Sequence, residues 1–367
     1  MNAPLEIMVI AGARPNFMKV APIIREIQHR SSAGTGLAHR LVHTGQHYDA
    51  NMSGIFFVEL GIPPPDINLE AGSGSQATQT AAVMARFEPV CERERPDWVL
   101  VVGDVNSTLA CTLVCAKLGI KVAHVEAGLR SFDRSMPEEI NRIVTDALAD
   151  LLLTPSADGD ANLLREGVPA AKISCVGNVM IDTLVANLAQ AQSSPTLSRL
   201  GLTRGEFVYV TLHRPSNVDD HGSLVAILTA LARIASDMPV VFPMHPRTRK
   251  TCARLAIPLN AARGLRIVEP LGYRDSLCLT DAARFVLTDS GGLQEESTYL
   301  RTPCLTLRPN TERPITVTLG SNRLTAVERL CADVEQLLSR PMRFGEIPPL
   351  WDGRASGRIV DSILQAS

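Results

Sequence analysis

The sequence predicts an α/β protein made of two doubly wound halves, each a parallel sheet covered by helices. Three observations predict it. Short apolar runs alternate with stretches of helical period along the whole chain, which marks βαβ units. The pattern stops at a polar stretch, Gln190-Ala191-Gln192-Ser193-Ser194-Pro195, and then restarts. The 367 residues are enough for two domains, each with its own core.

In the first half, strands are expected at 7–10, 40–44, 98–102, 121–125, 151–154 and 173–176. Helices are expected between them at 17–30, 78–93, 107–118 and 139–149. In the second half the strands fall at 207–212, 240–243, 266–268, 285–288 and 304–307, with a helix at 224–234. Single helices between parallel strands make right-handed crossovers. The domains expected are 1–178 and 179–350, followed by a C-terminal amphipathic helix within 351–367 that periodicity alone does not place.

Composition excludes several classes. Apolar residues make up 45% of the chain, as in a globular protein. A net charge of −2 argues against a dominant surface for nucleic acid or anionic membrane. No apolar run reaches the roughly 18 residues of a membrane span. No basic region precedes an apolar stretch at the N-terminus, so no leader is expected. The eight cysteines are scattered, and Cys111 and Cys115 lack the partners that would complete a zinc spacing. The expectation is buried thiols in a reducing cytoplasm, with no metal site.

The richest segment runs from His124-Val125-Glu126-Ala127-Gly128-Leu129-Arg130 to Pro137-Glu138-Glu139-Ile140-Asn141-Arg142. The strand before it ends in Gly103-Asp104, and the strand that opens it ends in Glu126. Acids at the carboxyl ends of neighbouring strands converge where open α/β sheets bind ligands. With Glu138 they offer the acid and base groups that sugar chemistry uses. Each has a plainer reading. Asp104 could cap the helix near Ser107, and Glu138 could close a capping box with Ser135 or pair with Arg142 at i,i+4.

The first strand runs into Ala11-Gly12-Ala13-Arg14-Pro15, where open helix amides with Arg14 and Lys19 suit an anion. A plain βα turn with solvated bases competes with that reading. The second half carries Thr288-Asp289-Ser290-Gly291-Gly292-Leu293-Gln294-Glu295-Glu296 after an apolar run. Ser290, Gly291 and Gly292 let backbone amides approach a phosphate, Glu296 can grip ribose hydroxyls, and Arg313 is a further phosphate candidate. His213 and Arg214 follow one strand, His245 follows the next, and Gln46-His47-Tyr48-Asp49 follows a third. A histidine at a strand end can hold a phosphate or move a proton. The chain has no G-x-G-x-x-G after its first strand and no G-x-x-x-x-G-K-[ST], which argues against a dinucleotide cofactor and a P-loop.

Taken together, these motifs resemble the non-hydrolysing UDP-N-acetylglucosamine 2-epimerases, from Gly12-Ala13-Arg14-Pro15 to Asp352-Gly353-Arg354-Ala355. The resemblance implies the GT-B architecture, two Rossmann-like domains around a cleft, as a homodimer whose C-terminal helix returns to the N-terminal domain. It implies Asp104, Glu126 and Glu138 as catalytic carboxylates, with His213 also essential. It places UDP on Arg14, Lys19, His213, Ser290, Gly291, Gly292, Glu296 and Arg313, with Arg142 also on the substrate side. A second, activating substrate site would fall on Gln46, Arg214 and His245, although Tyr48 stands where the family commonly has Arg. Ser276 replaces a family Phe near the uracil, leaving Leu271 or Tyr273 as the platform, and Ala13 and Asn16 replace Thr and Glu.

The activity so implied is reversible epimerisation at carbon 2 of UDP-N-acetylglucosamine, for cell-surface polysaccharide. UDP leaves, 2-acetamidoglucal forms, and UDP adds back. No redox cofactor is needed. The alternatives are a hydrolysing relative that releases N-acetylmannosamine and UDP, a 2-epimerase of a UDP-diacetamido-uronic acid, and a nucleotide-sugar sensor. A glycosyltransferase is less favoured, because it has no use for the acid-rich segment.

Overall fold

The computed structural model describes residues 4–45, 60–255 and 263–367, apart from the side chains of residues 14, 15 and 247. The chain divides into two compact units, Met1–Thr183 with Pro349–Ser367, and Leu184–Pro348.

In the first unit, β1 (Leu5–Ala11), β2 (Leu37–His43), β3 (Ile67–Asn68), β4 (Trp98–Val102), β5 (Lys121–Val125), β6 (Leu151–Thr154) and β7 (Ile173–Cys175) form one parallel sheet in the order β3-β2-β1-β4-β5-β6-β7. Helices α1 (Arg14–Ser32), α2 (Gln76–Glu94), α3 (Asn106–Leu118), α4 (Pro137–Leu148) and α5 (Ala157–Arg165) lie between strands, and α6 (Val179–Gln192), after β7, begins in this unit and runs into the second. All five residues of β4 are buried, which explains its unbroken apolar run: both faces of a parallel sheet are covered. Met8, Ile10, Val99, Val101 and Leu152 pack against Val83 and Phe87 of α2 and Ala110 and Val114 of α3. Truncating the fully buried Phe87 to Ala costs about 3–5 kcal/mol by analogy with other cores.

The second unit repeats the plan. Strands β8 (Val208–Thr211), β9 (Val240–Pro243), β10 (Leu265–Val268), β11 (Phe285–Thr288), β12 (Cys304–Leu307) and β13 (Asn322–Thr325) run parallel in the order β10-β9-β8-β11-β12-β13. Its longer helices are α7 (His221–Asp237), α8 (Pro246–Arg254), α9 (Tyr273–Ala282), α10 (Gly291–Leu300) and α11 (Leu330–Leu338). Val210, Leu231, Phe242, Phe285 and Leu287 sit in its core. Both sheets are doubly wound and Rossmann-like, and two such units make the GT-B class.

The order reverses between β1 and β4 in one sheet and between β8 and β11 in the other. Ligands bind beyond the carboxyl ends of strands at such switch points. Gly12 and Asp104 follow the first pair, and His213 and Asp289 the second.

Two strands escaped the sequence reading, β3 and β13. Both lie at a sheet edge, are short, and carry polar residues, so no apolar run marks them. The last helix, α12 (Ala355–Ala366), packs on α1. Arg30 donates to Asp361 Oδ1 at 2.5 Å and to the Gly357 carbonyl at 3.0 Å. The Asp182 carboxylate accepts from the amides of Ala355 and Ser356 at 3.0 and 2.7 Å, capping that helix. No described helix is long and apolar enough to cross a membrane.

Candidate active site

In the first unit the site grows from the ends of β1, β4 and β5 and from α4. Gly103 has φ 68°, and a Cβ added there would lie 2.9 Å from Lys19 Nζ and 3.4 Å from Glu126 Oε2. The bare α-carbon therefore lets the Lys19–Glu126 ion pair sit against the turn into Asp104. Glu126 itself has φ 69°, uncommon for a residue with a side chain. It is buried, and its Oε1 has no hydrogen-bond partner. Asp104 is half-buried and paired with Arg142, while Asn141 Nδ2 holds its backbone carbonyl at 2.8 Å.

Glu138 stands on the exposed side of the first turn of α4. The capping box expected at Ser135 does not form. Met136 is the N-cap, and Ser135 donates its hydroxyl to Asp133 Oδ1 at 2.6 Å instead. The i,i+4 pair with Arg142 is absent as well. Arg142 faces inward, where Glu139 meets it at i,i+3, 2.6 Å away. Glu139 also accepts from the amides of Ser131 and Phe132 at 2.9 and 2.8 Å. Burial pushes the Glu139 carboxyl up, but the Ser131 amide, Arg142 and the Phe132 amide outweigh it and hold it low. Arg142 is thus a buried cation serving two acids.

The expected anion cradle after β1 is partly filled from within. The amides of Gly12 and Ala13 both donate to Asn16 Oδ1, at 3.1 and 2.9 Å, so the Asn that departs from the family pattern takes these donors. Lys19 lies beneath, buried against Glu126. The side chain of Arg14, and the whole of Gln46, His47, Tyr48 and Asp49, lie outside the described residues.

In the second unit, Asp289 directly follows β11 and His213 follows β8, one strand over. His213 Nδ1 is 2.9 Å from Asp289 Oδ1, and the amides of His213 and Arg214 donate to the same carboxylate. Ser290 is the N-cap of α10, and Gly291 and Gly292 occupy its first two positions, where amides have no intrahelical acceptor. A Cβ on Gly291 would meet Arg313 Nη1 at 2.7 Å, so Arg313 lies directly against the helix start. Glu295 Oε1 holds the Arg313 Nε at 2.7 Å, and Glu312 holds the guanidinium as well. Glu296 is buried, and burial pushes its carboxyl up to about 8.

Ser276, the residue replacing a family Phe, bonds Tyr209 Oη at 2.8 Å. Tyr273 is buried against Glu296, so it does not offer a free ring face for the uracil. Leu271 is half-buried and is the more open of the two. Of the residues expected at a second site, Arg214 joins the His213 cluster, donating from Nε to the Asp289 carbonyl at 3.1 Å. His245 follows β9 and lines a cavity of about 750 Å³ with Asp219, Pro246, Lys250, Thr251 and Arg254.

Sequence reasoning assigned no role to Asp289, Glu139, Asn141 or Asn16. The first had a signal: an acid directly after an apolar run, the same feature that singled out Asp104 and Glu126. The chemistry on offer is coherent. One carboxylate lies against a lysine, one against an arginine, and one in solvent. The second unit, taken by itself, has Arg313 against the start of α10 and a histidine oriented by Asp289.

Comparison with known proteins points to one family. Residues 29–364 match the family model described as UDP-N-acetylglucosamine 2-epimerase. The UDP-N-acetylglucosamine 2-epimerase of Methanocaldococcus jannaschii is 40% identical over 365 residues, 97% of this chain and 98% of that protein. Its crystal structure in complex with UDP-GlcNAc and UDP matches with a TM-score of 0.89 over 99% of this chain and 100% of that one. The UDP-2,3-diacetamido-2,3-dideoxy-D-glucuronate 2-epimerase of Pseudomonas aeruginosa is 43% identical over 329 residues, 89% of each chain. With the family model covering most of the chain and relatives about 40% identical along nearly its full length, this chain belongs to the UDP-N-acetylglucosamine 2-epimerase family.

Proposed function

We propose that this protein interconverts UDP-N-acetylglucosamine and UDP-N-acetylmannosamine by elimination and re-addition of UDP. The observation that carries the reading is the set of three carboxylates in unlike surroundings, Asp104 against Arg142, Glu126 against Lys19 and Glu138 exposed, in a chain of this family. The carbon 2 proton is too weakly acidic to remove directly. Breaking the bond from carbon 1 to the UDP oxygen first builds positive charge at carbon 1 and acidifies carbon 2. A carboxylate then takes the proton, giving the glucal. A second acid returns a proton to the opposite face as the UDP oxygen bonds carbon 1 again. Acids in unlike environments suit such opposed roles. The amides at Gly291 and Gly292, with Arg313 and His213, hold the departing UDP and stabilise its charge.

The substrate has one close competitor, the diacetamido-uronic acid nucleotide, favoured by the Pseudomonas aeruginosa relative. The similarity to N-acetylglucosamine enzymes spans more of the chain, so that sugar is the one proposed here. Proton NMR in deuterated water, with each UDP-sugar in turn, tests the reading. Epimer carrying deuterium at carbon 2 is the expected product. Free N-acetylmannosamine with UDP would mean a hydrolase, turnover of the uronic acid alone would mean the other substrate, and no reaction would mean a sensor.

The working form proposed is a cytoplasmic homodimer. All eight cysteines are free thiols, which suits a reducing compartment. Helix α4 is turned inside out: Glu139, Asn141, Arg142, Thr145 and Asp146 are buried, while Ile140 and Leu148 are exposed. An apolar outer face on a helix suits a second copy. Sedimentation should give twice the chain mass, and Ile140→Asp should shift it toward the monomer.

A further inference from the structure

His124 is fully buried in β5, two residues before Glu126. Its Nε2 lies 2.8 Å from the carbonyl oxygen of Gly103, and its Nδ1 lies 2.6 Å from Asp146 Oδ1. A carbonyl oxygen only accepts, so Nε2 carries a hydrogen and donates it. The other oxygen of Asp146, on α4, accepts from the Gly128 amide at 3.0 Å and from Arg130 Nη1 at 2.7 Å. Burial would push the Asp146 carboxyl up, but His124 and Arg130 outweigh it and hold it below the ordinary aspartate range.

This one pair touches every segment that bears a proposed acid. Gly103 directly precedes Asp104. Glu126 stands between His124 and Gly128, and both of those bond Asp146. Asp146 shares α4 with Glu138 and Arg142. A glutamate at φ 69° persists only where its surroundings over-determine it. Here the bonds at residues 124 and 128 pin the chain on both sides of it.

We propose that the His124–Asp146 pair is a positioning element for the carbon 2 chemistry, holding left-handed Glu126 and the Gly103–Asp104 turn in register without touching substrate. The proposal rests on Asp104 and Glu126 being the acting acids. Its test uses two variants that each keep half of the clamp. His124→Gln retains a donor for the Gly103 carbonyl and loses Asp146. His124→Asn retains a donor for Asp146 and loses Gly103. In both, kcat should fall about 10- to 100-fold, because small misplacements cost rate. KM, and UDP affinity by calorimetry, should stay within about 2-fold, because the groups proposed for UDP in the second unit, at the start of α10 and at Arg313, are untouched. Combined with Glu126→Gln, either change should cost far less than it does alone, since much of its effect passes through Glu126.

Parent-like turnover in both His124 variants would overturn the proposal. So would a loss fully additive with Glu126→Gln, or a fall in UDP affinity that matches the fall in kcat, since general loss of structure moves them all. Should the His124 variants not fold, Asp146→Asn carries the same measurements; its amide oxygen still accepts from Gly128 and Arg130. Full turnover in Glu126→Gln alone strikes the underlying reading of that acid, and the proposal with it. An inactive Glu126→Gln beside fully active His124 variants strikes only the proposal.

Discussion

Asp289 is completely buried, and its Oδ1 lies 2.9 Å from Nδ1 of the half-exposed His213 ring. Asn217 Nδ2 and two backbone amides complete the carboxylate's bonds. The pairing orients the imidazole and leaves Nε2 as the nitrogen that Asp289 does not engage. Asp289→Asn keeps the shape but removes the charge that fixes the ring, so turnover should fall on the order of 10²-fold. Steady-state kinetics checks this. Burial raises the Asp289 carboxyl, yet His213, Asn217 and the Arg214 amide together hold it below its ordinary value of 3.8. A lowered acid contributes stability that is fully present above its unfolded value and lost as pH falls through the folded one. The gap in melting temperature between parent and Asp289→Asn should therefore be constant at neutral pH and close only in acid below about 3.8.

Glu296 behaves oppositely. Burial, reinforced by Glu295 and opposed by Tyr273, raises its carboxyl from 4.5 to about 8. The folded chain then holds a proton that the unfolded chain releases, so stability falls as pH rises from 4.5 to about 8. Glu296→Gln should remove that slope and gain on the order of a few kcal/mol at the alkaline end. Thermal unfolding across the window, without nucleotide, measures it. An unchanged slope would mean that Glu296 is ionised throughout.

Glu138 and Glu139 are neighbours with different work. Glu138→Gln removes an exposed carboxylate that holds nothing, so melting should be unchanged while turnover drops roughly 10²- to 10⁴-fold. Glu139→Gln weakens bonds to Arg142, Ser131 and Phe132 in a buried network and should cost about 1–3 kcal/mol of stability. Paired melting and turnover assays separate the two. Turnover within a few-fold of the parent would remove Glu138 from the catalytic set.

Gly291→Val drives side-chain carbon toward Arg313 Nη1, 2.7 Å from an added Cβ, at a guanidinium tethered by Glu295 and Glu312. It also crowds the helix start proposed for phosphate. UDP affinity should weaken about 10-fold or more, or about 1.4 kcal/mol. Calorimetry on the folded variant reads it directly, and an unchanged dissociation constant would exclude the helix start as the phosphate site.

Much of this fold was legible in the residues themselves. The run Trp98-Val99-Leu100-Val101-Val102 reads as a strand covered on both faces, and all five residues are buried in β4; acids soon after such runs marked the carboxyl edge. Ser290-Gly291-Gly292 announced a helix start, and α10 begins there. These signals are local, because burial on both faces and tight approach each restrict residue type within a few positions.

Which acid does which work was not local. Glu138 and Glu139 are adjacent and chemically alike, and only the packing of α4 turns one to solvent and the other onto Arg142. Asn16 reads as an ordinary helix residue until its side chain closes over the amides of Gly12 and Ala13. His124 reads as one polar residue in a strand until β4 brings the Gly103 carbonyl beside it and α4 brings Asp146. The sequence by itself determined the strands other than the edge strands β3 and β13, and the chemical types at their carboxyl ends, because those follow from periodicity and burial along the chain. The tertiary structure decided the partners, because a hydrogen bond between residues 21 or 22 positions apart depends on where the sheet and helix bring their atoms.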